Sequence, residues 1–301
     1  MQQYRSYVLP FAILVGLFFH SYIALLSDIV PVLIFLMLFF TYSSIRVSKM
    51  RISYFDIWLL LFQLTASIGF YLLLRPINHE LAQGALVTIL TPTATSAVVI
   101  AVMLGANLMT MGVYTLLCNL AVAFIAPLYF SFIGNTDMVF WESFGMIFAK
   151  IAPVLILPFI LAVSIKRLSP KLNTTILKFQ FISFYLWAMA LTIVISKIIN
   201  FIISHHEISL LFMIAAGVLA LIICILQFAL GKHIGKRYGD KVAGGQSLGQ
   251  KNTVLAIWMA QTYLNPVSSI IPAIYVILQN VYNSYQLWQK DTNRRKQLES
   301  K

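Results

Sequence analysis

Apolar residues follow one another in stretches of about 20 along almost the whole chain, with short polar segments between them. Stretches of this length suit α-helices that cross a hydrocarbon core about 30 Å thick. The alternating pattern of a membrane β-barrel does not occur. We therefore predict an all-α integral membrane protein with ten transmembrane helices, at about 7–26, 28–45, 55–74, 82–103, 107–130, 143–165, 179–199, 208–231, 242–260 and 265–287.

Composition supports a membrane protein. The chain is 60% hydrophobic and 10% charged, with a mean hydropathy of +0.88, whereas about 25% of the residues in soluble domains are charged. The first apolar segment lacks a small-residue cleavage site, so we interpret it as a retained helix. We predict one membrane domain over residues 1–301, with a polar tail at 288–301 and the lipid bilayer as its surroundings.

The net charge of +12 reflects the orientation of the protein in the membrane, and we expect no nucleic-acid partner. In the ten-span arrangement, most of the 21 basic residues fall on one side of the membrane, in the loops that follow even-numbered spans and in the tail. Cytoplasmic loops carry such an excess of Lys and Arg. The pattern therefore predicts a multi-pass protein with both termini in the cytoplasm.

Two predicted spans are interrupted by polar and helix-breaking residues. The fourth contains "TPTATSAV" at 91–98, where Pro92 lacks a backbone donor, and the ninth contains "GGQSLGQKNT" at 244–253. Backbone freed at membrane depth is tolerated only where protein or a water-filled cavity satisfies it. We therefore expect both breaks to lie inside the protein, at a functional site.

The two breaks recur at matching places in the two halves of the chain. About 155 residues separate them, and in each half an intact span follows the break. With five spans per half, the halves have opposite orientations, as in secondary transporters whose sites lie where broken helices meet. We predict two inverted five-helix repeats, at about 7–130 and 143–287.

Several stretches resemble the bile acid:sodium symporter family, notably "LTPTATSAVVIAVMLGANLMTMGVYTLLCNLAVAFIAPL", "FAKIAPVLILPFILAVSIKR", "SLGQKNTVLAI" and "PAIYVILQNVYNSY". The resemblance covers nearly the whole chain. It implies a core domain, in which broken crossover helices (spans 4 and 9) meet at the membrane centre, packed against a panel domain. It also implies a bacterial inner-membrane transporter that moves a small organic anion by alternating access.

Family members with two sodium ions bind them through side chains in these motifs, and this chain departs from that pattern. The resemblance places Ala97, Val98 and Met111 where relatives have oxygen ligands, Ser247 where they have an acid, and Lys251 where they have glutamine. Sodium, like other hard cations, needs several oxygen ligands. We therefore expect the two-sodium arrangement to be absent, with the Lys251 ammonium in place of a cation.

The candidate site combines the matching positions of both breaks with their neighbours. The predicted substrate-binding residues are Thr93, Thr95, Ser96, Asn252 and Thr253, and the predicted cation-site residues are Lys251, Gln63, Ser247, Gln250 and Thr115. No cofactor or metal is expected. For Lys251, snorkelling to the headgroups remains the alternative to a role in binding. For the hydroxyl residues, the alternative is ordinary hydrogen bonding to helix carbonyls.

Three other functions compete with sodium-independent transport of a carboxylate. A sodium-coupled symporter of organic acids or bile-acid-like substrates is the main alternative, and a ligand sensor that does not transport is a remote one. An enzyme is not expected, because no constellation of His, Asp and Glu occurs within a predicted span.

Overall fold

A computed structural model describes residues 11, 14–45, 50–134, 139–204 and 209–299, apart from the side chains of 95, 291 and 294–299. All regular elements in these ranges are helical. They are α1 (His20–Ile23), α2 (Val30–Ser44), α3 (Tyr54–Leu74), α4 (His79–Leu90), α5 (Thr95–Leu104), α6 (Leu108–Ile133), α7 (Phe140–Leu168), α8 (Pro170–Lys178), α9 (Ile182–Ser204), α10 (Leu210–Arg237), α11 (Lys241–Gly249), α12 (Thr253–Tyr263) and α13 (Ile270–Glu299), with 3-10 helices at Ala24–Ile29 and Pro266–Ser269.

The protein is an all-helical, multi-pass membrane protein. Within the described ranges, six helical segments are long and apolar enough to cross a membrane by length and composition: α3, α6, α7, α9, α10 and His20–Ser44, a stretch in which the chain also turns back. The two broken pairs fall outside this set, because α4, α5, α11 and α12 have only 12, 10, 9 and 11 residues. The closing helix α13 has 30 residues but is too polar to qualify. The count of ten spans stays a prediction.

The segment His20–Ser44 contains a reversal of the chain. The Ser196 hydroxyl of α9 donates to the Gly16 carbonyl at 3.2 Å, and His20 contacts Asn200 at 3.2 Å, so this part of the chain runs parallel to α9. Met37, however, lines the same cavity as Trp187, near the start of α9. The chain therefore turns back between His20 and Met37, around the 3-10 helix. This turn lies where the predicted spans 7–26 and 28–45 meet.

Contacts between distant segments define one end of the helix bundle. Lys166 donates to the Ile45 carbonyl at 2.8 Å, and the Asp240 carboxylate accepts from the Asn107 N–H at 2.9 Å. Ile45 also lies beside Gly112, near the start of α6. The described basic side chains of the neighbouring loops and helix ends belong to this end, which we call the basic end: Arg51, Lys166, Arg167, Lys171, Lys178, Lys232, Lys236, Arg237, Lys241 and Lys290.

Glycines bring α10 and α11 into backbone contact. A Cβ atom added to Gly231 would lie 2.2 Å from the Gly244 carbonyl oxygen, and one added to Gly235 would lie 2.4 Å from the Asp240 carbonyl oxygen. Small residues four apart allow such close packing of membrane helices. This hairpin holds α11, the first half of the second broken helix, against the rest of the bundle.

Two features of the chain lie outside the predicted elements. The helix α8 occupies the loop between the predicted sixth and seventh spans, where Pro170 starts it. Arg5, Arg46 and Lys49 lie outside the described residues, so their predicted position stays a prediction.

Candidate substrate and cation site

The two helix breaks pair with each other across the centre of the bundle. The Ala94 N–H donates to the Gln250 carbonyl at 2.9 Å, and the Asn252 N–H donates to the Pro92 carbonyl at 2.9 Å, which forms an antiparallel bridge between Thr93 and Lys251. Each break thus satisfies part of the backbone that the other leaves free. This is the condition under which irregular backbone is tolerated at membrane depth.

The Lys251 ammonium caps the C-terminal end of α4, the helix that precedes the first break. Only 1% of Lys251 is exposed, and its Nζ donates to the Ile89 carbonyl at 2.9 Å. Ile89 lies in the last turn of α4, where carbonyls lack helical partners and the helix carries partial negative charge. The ammonium therefore occupies a place that favours a cation. Snorkelling does not describe this geometry, because the side chain reaches into the protein.

Gln63 closes the same helix end from α3. Its Nε2 donates to the Leu90 carbonyl at 2.6 Å and to the Thr91 carbonyl at 3.2 Å. Its Oε1 accepts from the Tyr114 hydroxyl at 2.8 Å and from the Cys118 thiol at 3.3 Å. Lys251 and Gln63, both predicted cation-site residues, thus bind neighbouring carbonyls at the C-terminal end of α4.

The helix α11, which precedes the second break, likewise ends at side-chain hydrogen-bond donors from other parts of the chain. The Thr93 hydroxyl donates to the Ser247 carbonyl at 2.7 Å, and the Tyr275 hydroxyl donates to the Gly249 carbonyl at 2.7 Å. Gln279 accepts from the Lys251 N–H at 2.8 Å and donates to its carbonyl at 3.1 Å. The C-terminal carbonyls of both half-helices are therefore held by side chains from other parts of the chain.

Replacing Thr93 by Val is expected to lower stability, because it leaves the buried Ser247 carbonyl without this partner. Such a loss costs about 1–3 kcal/mol. Thr65→Val is the matched control, since the Thr65 hydroxyl is exposed and bonds only within its own helix. The midpoint of thermal unfolding in detergent should fall for Thr93→Val and change little for Thr65→Val. Equal midpoints for the two variants would contradict a structural role for Thr93.

A small cavity lies beside the crossing. Its volume of about 10 Å³ is enough for about one water molecule. Its walls are formed by Met37, Ala94, Ser96, Trp187, Gln250, Lys251, Asn252, Thr253, Gln279 and Asn280. Met37 and Trp187 come from α2 and α9, whereas the other residues come from the two breaks and α13. An organic substrate could enter only if these two groups of helices moved apart.

Two half-helices begin next to this cavity. Ala94, the N-cap residue of α5, makes no side-chain cap, whereas the Asn252 side chain accepts from the Leu255 N–H of α12 at 3.3 Å. Helix N-termini present free N–H groups and partial positive charge, which favour anions. Gln250 Nε2 donates to the Ser96 hydroxyl at 3.0 Å, while its Oε1 has no hydrogen-bond partner among the described residues.

The structure brings most of the predicted site residues together. Those at the crossing or its cavity are Thr93, Ser96, Ser247, Gln250, Lys251, Asn252, Thr253 and Gln63. Thr115 lies on α6 one turn after Met111, whose sulfur accepts from the Ser247 hydroxyl at 3.5 Å. The Thr115 hydroxyl is buried and has no hydrogen-bond partner in the described part of the chain. Thr95 begins α5, and its side chain lies outside the described residues.

Sequence reasoning missed four residues that hold the crossing: Tyr114, Cys118, Tyr275 and Gln279. A usable signal existed for Gln279. With Asn283 and Gln286 it forms a polar stripe at helical spacing on α13, and Asn283 and Gln286 both accept from Gln246 Nε2 of α11, at 3.0 and 2.9 Å. The tyrosines and the cysteine gave no such signal, because they are common in apolar spans.

Comparison with known proteins does not assign the chain to a family, since no protein-family model and no curated protein matches it.

Proposed function

We propose that this protein is a secondary transporter of a small organic anion, a carboxylate, that works by alternating access. The observation that carries the proposal is the crossing of two broken helices around the buried Lys251. Broken helices that meet at the membrane centre form substrate and ion sites in secondary transporters. Ionisable residues at this depth are costly and mark transport pathways.

In this proposal, Lys251 acts as a fixed cation in place of a transported one. Its ammonium is hydrogen-bonded to the α4 carbonyl end, where a bound cation would be stabilised in the same way. Within the described residues, Lys251 forms no salt bridge that would cancel its charge. Its field then adds to the positive ends of α5 and α12, so that the region between them attracts a carboxylate.

The proposed architecture is that of the bile acid:sodium symporter family, which the sequence resembles: ten transmembrane helices in two inverted repeats, with a panel and a core. In support, the two halves share one order of elements once the short helix α8 is set aside: two helical segments and a long helix precede a broken pair and a closing helix. The clustering of the described basic side chains at one end supports a cytoplasmic position for that end and both termini.

The cavity at the crossing suggests how access alternates. Met37 and Trp187 belong to helices of the proposed panel, and the residues facing them belong to the proposed core. A relative movement of these two bodies would widen the cavity toward one side of the membrane and then the other. Such rigid-body motion around a fixed site is the general scheme for transporters built from inverted repeats.

Replacing external sodium by choline is expected to leave uptake within about twofold of its original rate, because the charge that sodium would supply is built into the chain. The measurement is uptake of radiolabelled small carboxylates into proteoliposomes. The same potassium diffusion potential is imposed in both media, so that the driving force from the membrane potential is equal.

Empty liposomes serve as the control for this comparison. Strict sodium dependence would contradict the role proposed for Lys251 and favour the sodium-coupled symporter. Saturable binding of a carboxylate without uptake in any medium would favour a ligand sensor.

A further inference from the structure

A second, larger cavity lies at the end of the bundle opposite the basic end. Its volume is about 600 Å³, which falls within the range of small-molecule sites. It lies between α7 and α9 on one side and the end of α12 with the following turn on the other. Its walls are formed by Met146, Ile147, Lys150, Phe201, Thr262, Tyr263, Leu264, Asn265, Pro266 and Val267.

The cavity combines an apolar wall with one cation. Lys150 is the only charged residue among the described residues that line it, and it has no hydrogen-bond or ion-pair partner among them. Aliphatic and aromatic side chains form most of the remaining surface, with Phe201 and Tyr263 as the rings. A single unpaired positive charge beside an apolar surface matches an amphipathic anion.

The other polar side chains of the wall differ in whether they already have hydrogen-bond partners. The Thr262 hydroxyl donates to the Trp258 carbonyl at 2.7 Å, and the Asn265 side chain contacts Glu80 and the Val267 N–H at 3.5 and 3.0 Å. The Tyr263 hydroxyl is buried without a hydrogen-bond partner in the described part of the chain. Lys150 is thus the polar side chain of the wall that is left to receive a ligand, and Tyr263 contributes its ring.

We propose that this cavity binds an amphipathic organic carboxylate, with its head group at Lys150 and its apolar body against Phe201 and Tyr263. The cavity lies outside the crossing, since ten residues of helix, about 15 Å, separate Asn252 from Thr262. It is a separate site at which the anion binds before it moves to the crossing. That onward movement rests on the proposed function, but the binding itself does not.

Binding of 2-naphthoate to the purified full-length protein in detergent tests the proposal, with 2-naphthamide as the uncharged probe of the same shape. Calorimetric titration should show that Lys150→Gln weakens naphthoate binding at least tenfold, that Lys150→Arg restores it, and that naphthamide binds at least tenfold more weakly than naphthoate. The matched control is Lys197→Gln, which removes a lysine of α9 that lines neither cavity and should bind like the wild type.

Equal naphthoate affinity in the wild type and Lys150→Gln would overturn the proposal, as would equal affinity for naphthoate and naphthamide. Displacement of naphthoate by phosphatidylglycerol but not by octanoate would also overturn it, because the site would then belong to a lipid headgroup. The same naphthoate titration on Lys251→Met shows whether binding at Lys150 is independent of the crossing, and so separates this inference from the proposed function. Naphthoate binding without uptake in the wild type removes only the function, and uptake without Lys150-dependent binding removes only the inference.

Discussion

Replacing Lys251 by Met is expected to reduce anion uptake to the level of empty vesicles. Methionine matches the length of the lysine stem but supplies neither charge nor donor, so that the Ile89 carbonyl loses the ammonium. At roughly 8 Å and an effective dielectric constant of about 20, one positive charge attracts a carboxylate by about 2 kcal/mol. Its loss corresponds to about a thirtyfold weaker affinity. The unpaired carbonyl adds a cost of about 1–3 kcal/mol to the crossing itself.

Lys290→Met is a matched control for this variant. Lys290 also donates to a carbonyl in the last turn of a half-helix, that of Met103 at 2.9 Å, but this contact is exposed at the basic end. Its removal should leave uptake within about twofold of the wild type. Uptake by Lys251→Met at more than half the wild-type rate, in a preparation with a normal unfolding midpoint, would contradict the fixed-cation mechanism.

The location of the crossing was predictable because its causes are local. Pro92 cannot donate a backbone hydrogen bond, and the glycines at 244–249 weaken the second helix, so both breaks could be found from residue type alone. The polar character of Lys251 at membrane depth is also visible in the sequence. That the breaks would meet was an inference from their repeated spacing and from the family resemblance, and in the structure the backbones of Thr93 and Lys251 form a bridge.

The partners of these residues could not be predicted, because they depend on how distant helices are rotated. Lys251 bonds a carbonyl 162 positions earlier in the chain, and any backbone carbonyl near that depth would have been an equal candidate from sequence. Gln279 lies in a polar stripe that the spacing on α13 reveals, but its contact with the Lys251 backbone could not be predicted, because the rotation of α13 toward the second break does not follow from composition. The reversal between His20 and Met37 lies where the predicted spans 7–26 and 28–45 meet, because apolar stretches of span length were visible on both sides of it.

The second large expected effect is a loss of stability when the close packing of α10 on α11 is disturbed. Replacing Gly231 by Ala would place a methyl group 2.2 Å from the Gly244 carbonyl oxygen, so the two helix backbones must separate. Overpacking costs about 1–3 kcal/mol and occasionally more, and we expect the upper part of this range because the obstacle is backbone. The displaced helix is α11, which carries Ser247 and leads into Lys251, so that uptake should fall together with stability.

Gly217→Ala on the same helix should change stability in the opposite direction. A methyl group at Gly217 meets no atom within 4 Å, and alanine stabilises a helix interior by about 0.5–1 kcal/mol relative to glycine. Thermal unfolding in detergent should therefore rank Gly217→Ala at or above the wild type and Gly231→Ala well below it. Because both changes add one methyl group to one helix, helix propensity alone predicts that they stabilise equally. A normal midpoint for Gly231→Ala would show that α10 and α11 do not meet through their backbones, and the position of Lys251 at the crossing would lose its structural basis.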